Sequence, residues 1–222
     1  MSLEINNLTK EFKRNNTVFR AVDNVSAEVK KGDFISIIGR SGSGKSTMVN
    51  MISGLINPTQ GEIKFDGVDI CTMNDNEVSA FRNSRIGYIM QNGGILTNLS
   101  VIENVRLPFY LHKREGNSYD TALELLKKVG IENLAESSPK HLSGGEIKRV
   151  AIARALINNP DYIFADEPTS DLDEKTTADI MLLFKEIAYE GKAVIIITHE
   201  HNNINFGNRL FEMNSGKLTE KY

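Results

Sequence analysis

The sequence contains little cysteine and no apolar run long enough to cross a membrane. Its 222 residues include one cysteine, Cys71, which excludes an internal disulfide and a cysteine-based metal site. We interpret Cys71 as a small apolar filler. No apolar segment approaches the ~20 residues of a membrane-spanning helix, and residues 1–5 lack the basic stretch and apolar core of a signal peptide. We therefore expect the chain to be cytosolic.

Positive charge is not in excess either. The formal net charge of −3 and the pI near 5.9 leave no basic footprint for nucleic acid, so we expect no nucleic-acid partner. With 40% hydrophobic and 25% charged residues, the composition is that of an ordinary globular protein with one large core or two lobes.

A glycine-rich stretch at residues 39–47 carries the strongest signal in the chain. It has a glycine, four free positions and then Gly-Lys-Ser, and it follows an apolar run of strand length at residues 34–38. Glycines let successive backbone N–H groups converge on an anion, and the helix that follows adds the positive end of its dipole. We predict that a nucleotide triphosphate is bound by Gly39, Ser41, Gly42, Ser43, Gly44, Lys45, Ser46 and Thr47. The alternative is a strand-to-helix turn that binds no ligand.

Lys45 and Ser46 carry the chemistry of this loop. The lysine places a cation on the β- and γ-phosphates, and the serine hydroxyl is an oxygen ligand for Mg²⁺. We therefore expect a nucleotide triphosphate together with Mg²⁺ at this loop.

The rest of the chain predicts a mixed α/β fold. Short alternating runs at residues 3–31, broken near residues 14–16, indicate antiparallel strands, and the segment 61–67 indicates another strand that joins them. Residues 101–111 and 119–129 have the 3.6-residue apolar spacing of helices. The continuous apolar runs 162–165 and 193–197 favour parallel strands that are covered on both faces, with a crossover helix at about 175–189.

A serine and two glycines precede a further helix that runs to about Asn158. Ser143 at the N-cap with Glu146 three residues later forms a capping box, but this does not explain Gly144 and Gly145. Two glycines weaken a first helical turn by up to about 1 kcal/mol each. We therefore infer that another group, not identified by the sequence, lies close to the backbone at these two positions.

Four apolar runs end in residues suited to chemistry. These ends are the phosphate loop, Gln91, the pair Asp166-Glu167, and His199. Ligands bind beyond the carboxyl ends of strands in open α/β sheets, so one site can collect all four ends.

In this order the motifs resemble the nucleotide-binding subunit of ATP-binding cassette (ABC) transporters, over nearly the whole chain. The segment Leu142-Ser143-Gly144-Gly145-Glu146 is similar to the family signature, which other phosphate-loop proteins lack. The resemblance implies a RecA-like phosphate-loop core with a mostly parallel central sheet, an antiparallel β lobe and a helical lobe. We predict a single domain at 1–222, with the β lobe at about 1–31 and 61–70, the ATP-binding core at 32–60, 71–91 and 159–222, and the helical lobe at 92–158.

The resemblance also implies roles for the site residues. Asp166 is expected to hold Mg²⁺ through its water shell, with Ser46 and Gln91 as further oxygen ligands. Glu167 is expected to polarise the attacking water, and His199 to bond the γ-phosphate. Phe12 stands where the family usually has a tyrosine that stacks on adenine, although by sequence alone it is also a plausible core or turn aromatic.

The resemblance further implies partners. Ser143, Gly144 and Gly145 are expected to complete the ATP site of a second copy in a head-to-tail homodimer. Integral membrane permease subunits are the other expected partner, which places the chain peripherally on the cytoplasmic face of the cell membrane.

Within the family, residues 87–108 resemble the subgroup for macrolide export, lipoprotein release and antimicrobial-peptide resistance. The subgroup often has glutamines at residues 146–148 and a small residue at position 171. This chain departs from it with Glu146-Ile147-Lys148, Asp171 and Glu200-His201.

The function predicted from these observations is an ATP-hydrolysing subunit that drives export or membrane extraction of a peptide, drug or lipoprotein. Two alternatives remain at this point. One is a soluble ABC ATPase that is not linked to transport, which normally has a coiled-coil insertion or tandem cassettes. The other is a phosphate-loop kinase for a small molecule, which leaves residues 142–146 unexplained.

Overall fold

The computed structural model describes residues 2–15, 17–111, 114–199 and 205–222, and within these residues the chain forms two β-sheets and six α-helices. The strands are β1 (Ser2–Arg14), β2 (Thr17–Lys30), β3 (Phe34–Ile38), β4 (Gln60–Phe65), β5 (Val68–Asp69), β6 (Ile86–Ile89), β7 (Tyr162–Asp166), β8 (Ala193–Thr198), β9 (Arg209–Asn214) and β10 (Lys217–Glu220). The helices are α1 (Lys45–Ile52), α2 (Asp75–Arg85), α3 (Val101–Leu111), α4 (Ser118–Lys128), α5 (Gly144–Leu156) and α6 (Glu174–Tyr189).

The larger sheet has six strands in the order β10-β9-β3-β8-β7-β6. All its pairs are parallel except β9 with β10. The smaller sheet is antiparallel, in the order β2-β1-β4-β5. The predicted fold class is therefore confirmed, while the boundaries of the three lobes stay a prediction.

The central strands are apolar without alternation because both faces of the sheet are covered. In β7, Ile163 and Ala165 belong to the core that the sheet forms with helices α3 to α6, whereas Tyr162 and Phe164 face a second core. That second core holds apolar residues of α1 and of the antiparallel sheet. Burial on both faces holds the carboxyl ends of β3, β6, β7 and β8 along one edge, where the site lies.

Strands β9 and β10 were not predicted from the sequence. Strand β9 pairs in parallel with β3, and β10 pairs with β9 at the edge of the sheet. The predicted turn residue Asn16 and the departures Glu200-His201 lie outside the described residues.

Candidate functional site

A cavity of about 700 Å³ opens at the carboxyl edge of the larger sheet. It collects residues from the phosphate loop and from the ends of β6, β7 and β8, as the sequence predicts for one shared site. Its lining residues are Phe12, Phe19, Arg20, Ala21, Ser41, Gly42, Ser43, Gly44, Lys45, Ser46, Thr47, Gln91, Asp166, Glu167, His199, Ser215 and Gly216.

The phosphate loop packs so tightly against the chain that two of its glycines have no room for a side chain. A Cβ on Gly39 would lie 2.3 Å from the Met213 carbonyl oxygen, and one on Gly44 would lie 2.1 Å from the Ala21 carbonyl oxygen. Real Cβ atoms do not approach backbone atoms this closely, so both positions require glycine. Gly39 itself lies outside the cavity lining, but its carbonyl accepts a hydrogen bond from Lys45 Nζ at 2.7 Å.

The polar groups of the loop suit a polyphosphate. Lys45, only 7% exposed, also donates to the Arg40 carbonyl at 3.2 Å, so its ammonium lies against the loop backbone. Ser43 Oγ is buried without a hydrogen-bond partner among the described residues. A buried hydroxyl without a partner costs free energy that a bound phosphate oxygen would relieve. Helix α1 begins at Lys45 and points the positive end of its dipole into the loop.

Asp166 and Ser46 lie together at one side of the loop. The pKa of the Asp166 carboxyl is raised, mainly because the group is buried and also because the charge of Glu167 is nearby. The hydrogen bond with Ser46 and the charge of Lys45 act in the opposite direction. Within residues 2–15, 17–111, 114–199 and 205–222 no group of three or more His, Cys, Asp or Glu could hold a metal ion. A carboxylate, a hydroxyl and the Gln91 amide are all oxygen donors, which fits the hard cation Mg²⁺ with several retained waters.

Glu167 and His199 form a direct pair. Glu167 Oε1 lies 2.9 Å from His199 Nδ1, and Oε2 accepts a hydrogen bond from the His199 backbone N–H at 3.4 Å. Glu167 has a φ of +48°, which is uncommon for a residue with a side chain. Its backbone is held in that conformation because its N–H donates to the Ile197 carbonyl at 2.9 Å and its carbonyl accepts from the Ser170 N–H at 3.2 Å.

Two aromatic rings, those of Phe12 and Phe19, are part of the cavity lining. Phe12 and Phe19 are cross-strand partners in β1 and β2, and their ring centroids are 5.8 Å apart at an interplanar angle of 29°. Phe19 was not predicted from the sequence as a site residue, although its place across the predicted hairpin from Phe12 was a usable signal. Ser215 and Gly216, which reach the cavity from the turn between β9 and β10, were not predicted either.

The structure does not bring Ser143, Gly144 and Gly145 to this cavity. They line a separate cleft of about 320 Å³ together with Asp171 and Asp173. Ser143 caps α5 in the expected capping box: its Oγ accepts from the Glu146 N–H at 3.4 Å, and Glu146 Oε2 accepts from the Ser143 N–H at 2.7 Å.

Two consecutive glycines predicted a close contact with the backbone at this point, and the structure shows such a contact at Gly145. A Cβ on Gly145 would lie 2.6 Å from Thr176 Cγ2 of α6. A Cβ on Gly144 would meet only Leu172 Cδ2, at an ordinary 3.4 Å. Packing against α6 therefore accounts for Gly145, and Gly144 needs another reason.

Comparison with known proteins agrees with this geometry. The family profile described as ABC transporter matches residues 22–170. The chain is 41% identical over 222 residues to the uncharacterized ABC transporter ATP-binding protein MJ0796 of Methanocaldococcus jannaschii, covering 97% of this chain and 94% of that protein. A dimeric structure of the MJ0796 cassette in a post-hydrolysis state, bound to ADP and Pi, matches with a TM-score of 0.92 at 40% identity, covering 99% of this chain and 97% of that one.

Two other relatives match this chain over nearly all of its residues, but their own lengths differ from each other. The lipoprotein-releasing system ATP-binding protein LolD of Buchnera aphidicola subsp. Schizaphis graminum is 40% identical over 97% of this chain and 95% of its own length. The macrolide export ATP-binding/permease protein MacB of Chlorobaculum tepidum is 37% identical over 98% of this chain, which spans only 34% of that protein. The chain therefore belongs to the ABC transporter family and is one of its nucleotide-binding ATPase subunits.

Proposed function

We propose that this protein binds ATP with Mg²⁺, dimerises around two nucleotides and uses their hydrolysis to drive a separate membrane permease. The convergence of the phosphate loop, Gln91, Asp166, Glu167 and His199 on one cavity is the observation that supports this function best.

The cavity supplies a binding group for each part of a nucleotide. The amides of the loop, the Lys45 ammonium and the unpartnered Ser43 hydroxyl take the phosphates. The ring pair of Phe12 and Phe19 provides an apolar surface on which adenine stacks. Ser46, Gln91 and Asp166 hold Mg²⁺, which neutralises charge on the β- and γ-phosphates when it is bound.

Glu167 and His199 are the proposed hydrolytic pair. The Glu167 carboxylate orients and polarises the attacking water, and the imidazole of His199 stabilises negative charge on the transferring phosphoryl group. Each oxygen of Glu167 makes one contact with His199 in this structure, and the remaining lone pairs of the carboxylate can accept a hydrogen bond from a water.

The signature segment acts on a second copy in this proposal. Ser143 to Gly145 lie outside the chain's own cavity. Packing within the described part of the chain does not explain why residue 144 is a glycine. A head-to-tail dimer places this helix start, with its positive dipole, on the partner's γ-phosphate. The MJ0796 cassette has a dimeric structure with ADP and Pi bound, which supports the association of two copies in this proposal.

The permease is the second proposed partner. No helix in the described part of the chain is long and apolar enough to cross a membrane. A groove of about 410 Å³, which we call the apolar groove, has a mainly apolar lining that includes Leu55, Tyr88, Met90, Leu107, Pro108 and Leu111, with Arg82 and Arg154 among its polar residues. We propose that the apolar groove binds a segment of the permease at the cytoplasmic face, since MacB is named as an ATP-binding/permease protein in one chain.

The proposed cargo is a peptide, drug or lipoprotein, by analogy with the MacB and LolD relatives.

Capture from membranes tests the transport role. The tagged protein, incubated with detergent-solubilised membranes of its own cells, should retain an integral membrane protein with several apolar spans. M90D should abolish the retention because it places a charge in the apolar groove. L182D is the matched control, since Leu182 of α6 is 49% exposed and Met90 is 52% exposed. Equal retention by M90D and wild type, or no retained membrane protein, would contradict the proposal.

A further inference from the structure

Lys148 is a charged residue buried beneath the site. It lies in α5, just beyond the signature segment, and its side chain is only 6% exposed. Its ammonium contacts the Gln91 carbonyl, the Glu167 carbonyl at 3.3 Å and Ser170 Oγ at 3.5 Å. One cation therefore gathers acceptors from two loops that are far apart in sequence.

These two loops carry the side chains on which the proposed hydrolysis depends. Gln91 follows β6, and Glu167 follows β7. The Glu167 carbonyl also accepts from Ser170 Oγ at 3.0 Å, so Lys148 and Ser170 together orient the peptide after Glu167. This orientation matters because Glu167 has a positive φ, a conformation that persists only where surrounding bonds hold it.

A buried ammonium also needs negative charge nearby. Desolvation lowers the pKa of Lys148, and the charges of Asp171, Glu167 and Asp166 oppose this shift, that of Asp171 most strongly. Asp171 lies in the turn before α6, has a φ of +64° and lines the cleft of the signature segment. The carboxylates of Asp166 and Glu167 face the nucleotide cavity, whereas Asp171 does not line that cavity.

We propose that Lys148 is a positioning residue for ATP hydrolysis, acting through its contacts with the Gln91 and Glu167 carbonyls and with Ser170 Oγ. The ammonium ties the start of α5 to the backbone of Gln91 and Glu167. In the proposed dimer that helix start contacts the partner's nucleotide, so Lys148 links the partner's site to the hydrolytic groups of its own subunit. The inference rests on the roles proposed above for Gln91 and Glu167.

K148M tests the role by keeping the length of the side chain and removing its charge and donors. We expect kcat to fall about 10-fold or more because Glu167 is displaced, with the dissociation constant of a fluorescent ATP analogue within about 2-fold of wild type. K192M is the matched control: Lys192 is partly buried and donates to the Pro160 carbonyl at 2.8 Å, just before the start of β8 and therefore at the opposite end of the sheet from the site. It should keep the wild-type kcat even if its melting temperature falls.

The outcomes separate this inference from the proposed function. Wild-type protein that hydrolyses no ATP would count against the site itself. Wild-type hydrolysis with an unchanged kcat in K148M, or an equal fall in K192M, overturns the positioning role alone.

S170A is a second test, which remains informative if K148M folds poorly. It removes the hydroxyl that contacts Lys148 Nζ at 3.5 Å and donates to the Glu167 carbonyl at 3.0 Å. We expect S170A to lower kcat while the dissociation constant of the ATP analogue stays within about 2-fold of wild type. A wild-type kcat in S170A would overturn the idea that these contacts orient Glu167.

Discussion

At the residue scale, the site combines strong local requirements with contacts that only folding creates. Gly39 and Gly44 are required because backbone carbonyls of distant strands lie within 2.3 Å and 2.1 Å of where a Cβ would be. The contact between Glu167 and His199 joins the ends of β7 and β8, which are neighbours in the sheet. The proposed chemistry therefore depends on strand order as much as on residue type.

H199A should separate binding from hydrolysis. The imidazole does not belong to the phosphate loop, so the affinity of H199A for an ATP analogue should stay within about 2-fold of the wild-type value. Its kcat should fall about 100-fold, because the charge of the transition state is no longer stabilised by the imidazole. K45A provides the contrast, since it should abolish nucleotide binding. Steady-state hydrolysis and fluorescence titration measure the two effects.

H141A is the control for this experiment. His141 is exposed, lies outside the cavity, and should keep the wild-type rate. Unchanged hydrolysis in H199A would remove this residue from the proposed hydrolytic pair.

At the scale of elements, the edge of the larger sheet depends on an ionic cluster. Arg209 at the start of β9 donates to Asp33 Oδ2 at 2.8 Å, to the Glu28 carbonyl at 2.7 Å and to Glu220 Oε1 at 2.8 Å. These bonds join β9 to the end of β2, the start of β3 and the end of β10. The turn between β9 and β10 in turn lines the nucleotide cavity at Ser215 and Gly216.

R209M should lower the free energy of unfolding by about 1–3 kcal/mol, because hydrogen bonds to charged groups are lost together at a partly buried position. Urea denaturation measures this change. K221M is the comparison, since the pair of Lys221 and Glu212 has side chains 44% and 42% exposed and should contribute less than about 1 kcal/mol. An equal loss in both variants would show that the Arg209 cluster has no special role at this edge.

At the scale of the whole molecule, the two motifs most specific to the family lie in different places. The phosphate loop opens on the large cavity, and the signature segment opens on a separate cleft. This separation is what the proposed dimer requires, in which the signature segment of one copy meets the phosphate loop of the other.

E167Q should accumulate as a dimer with ATP because binding is retained while hydrolysis, which removes the γ-phosphate from the interface, is blocked. Size exclusion with and without ATP measures the association. The double variant K45A/E167Q should stay monomeric under the same conditions, since it lacks the nucleotide that joins the copies. A monomeric E167Q saturated with ATP would contradict the shared site.

The sequence alone determined the main elements of this protein because their signals are local. The loop at 39–47, the capping box at Ser143 and the unbroken apolar strands at 162–165 and 193–197 each follow from neighbouring residues. Together they were enough to predict the fold class and the gathering of Gln91, Asp166, Glu167 and His199 at one cavity, both of which the structure bears out.

Only the tertiary structure decided which distant groups meet. The pairing of β9 with β3, the Phe19 ring beside Phe12 and the packing of Gly145 on Thr176 depend on contacts between segments remote in sequence. The same holds for Lys148, which by sequence is merely a departure from the subgroup pattern. Folding removes its ammonium from water, and the cost of burying that charge is offset only by the carbonyls and carboxylates that the sheet brings around it.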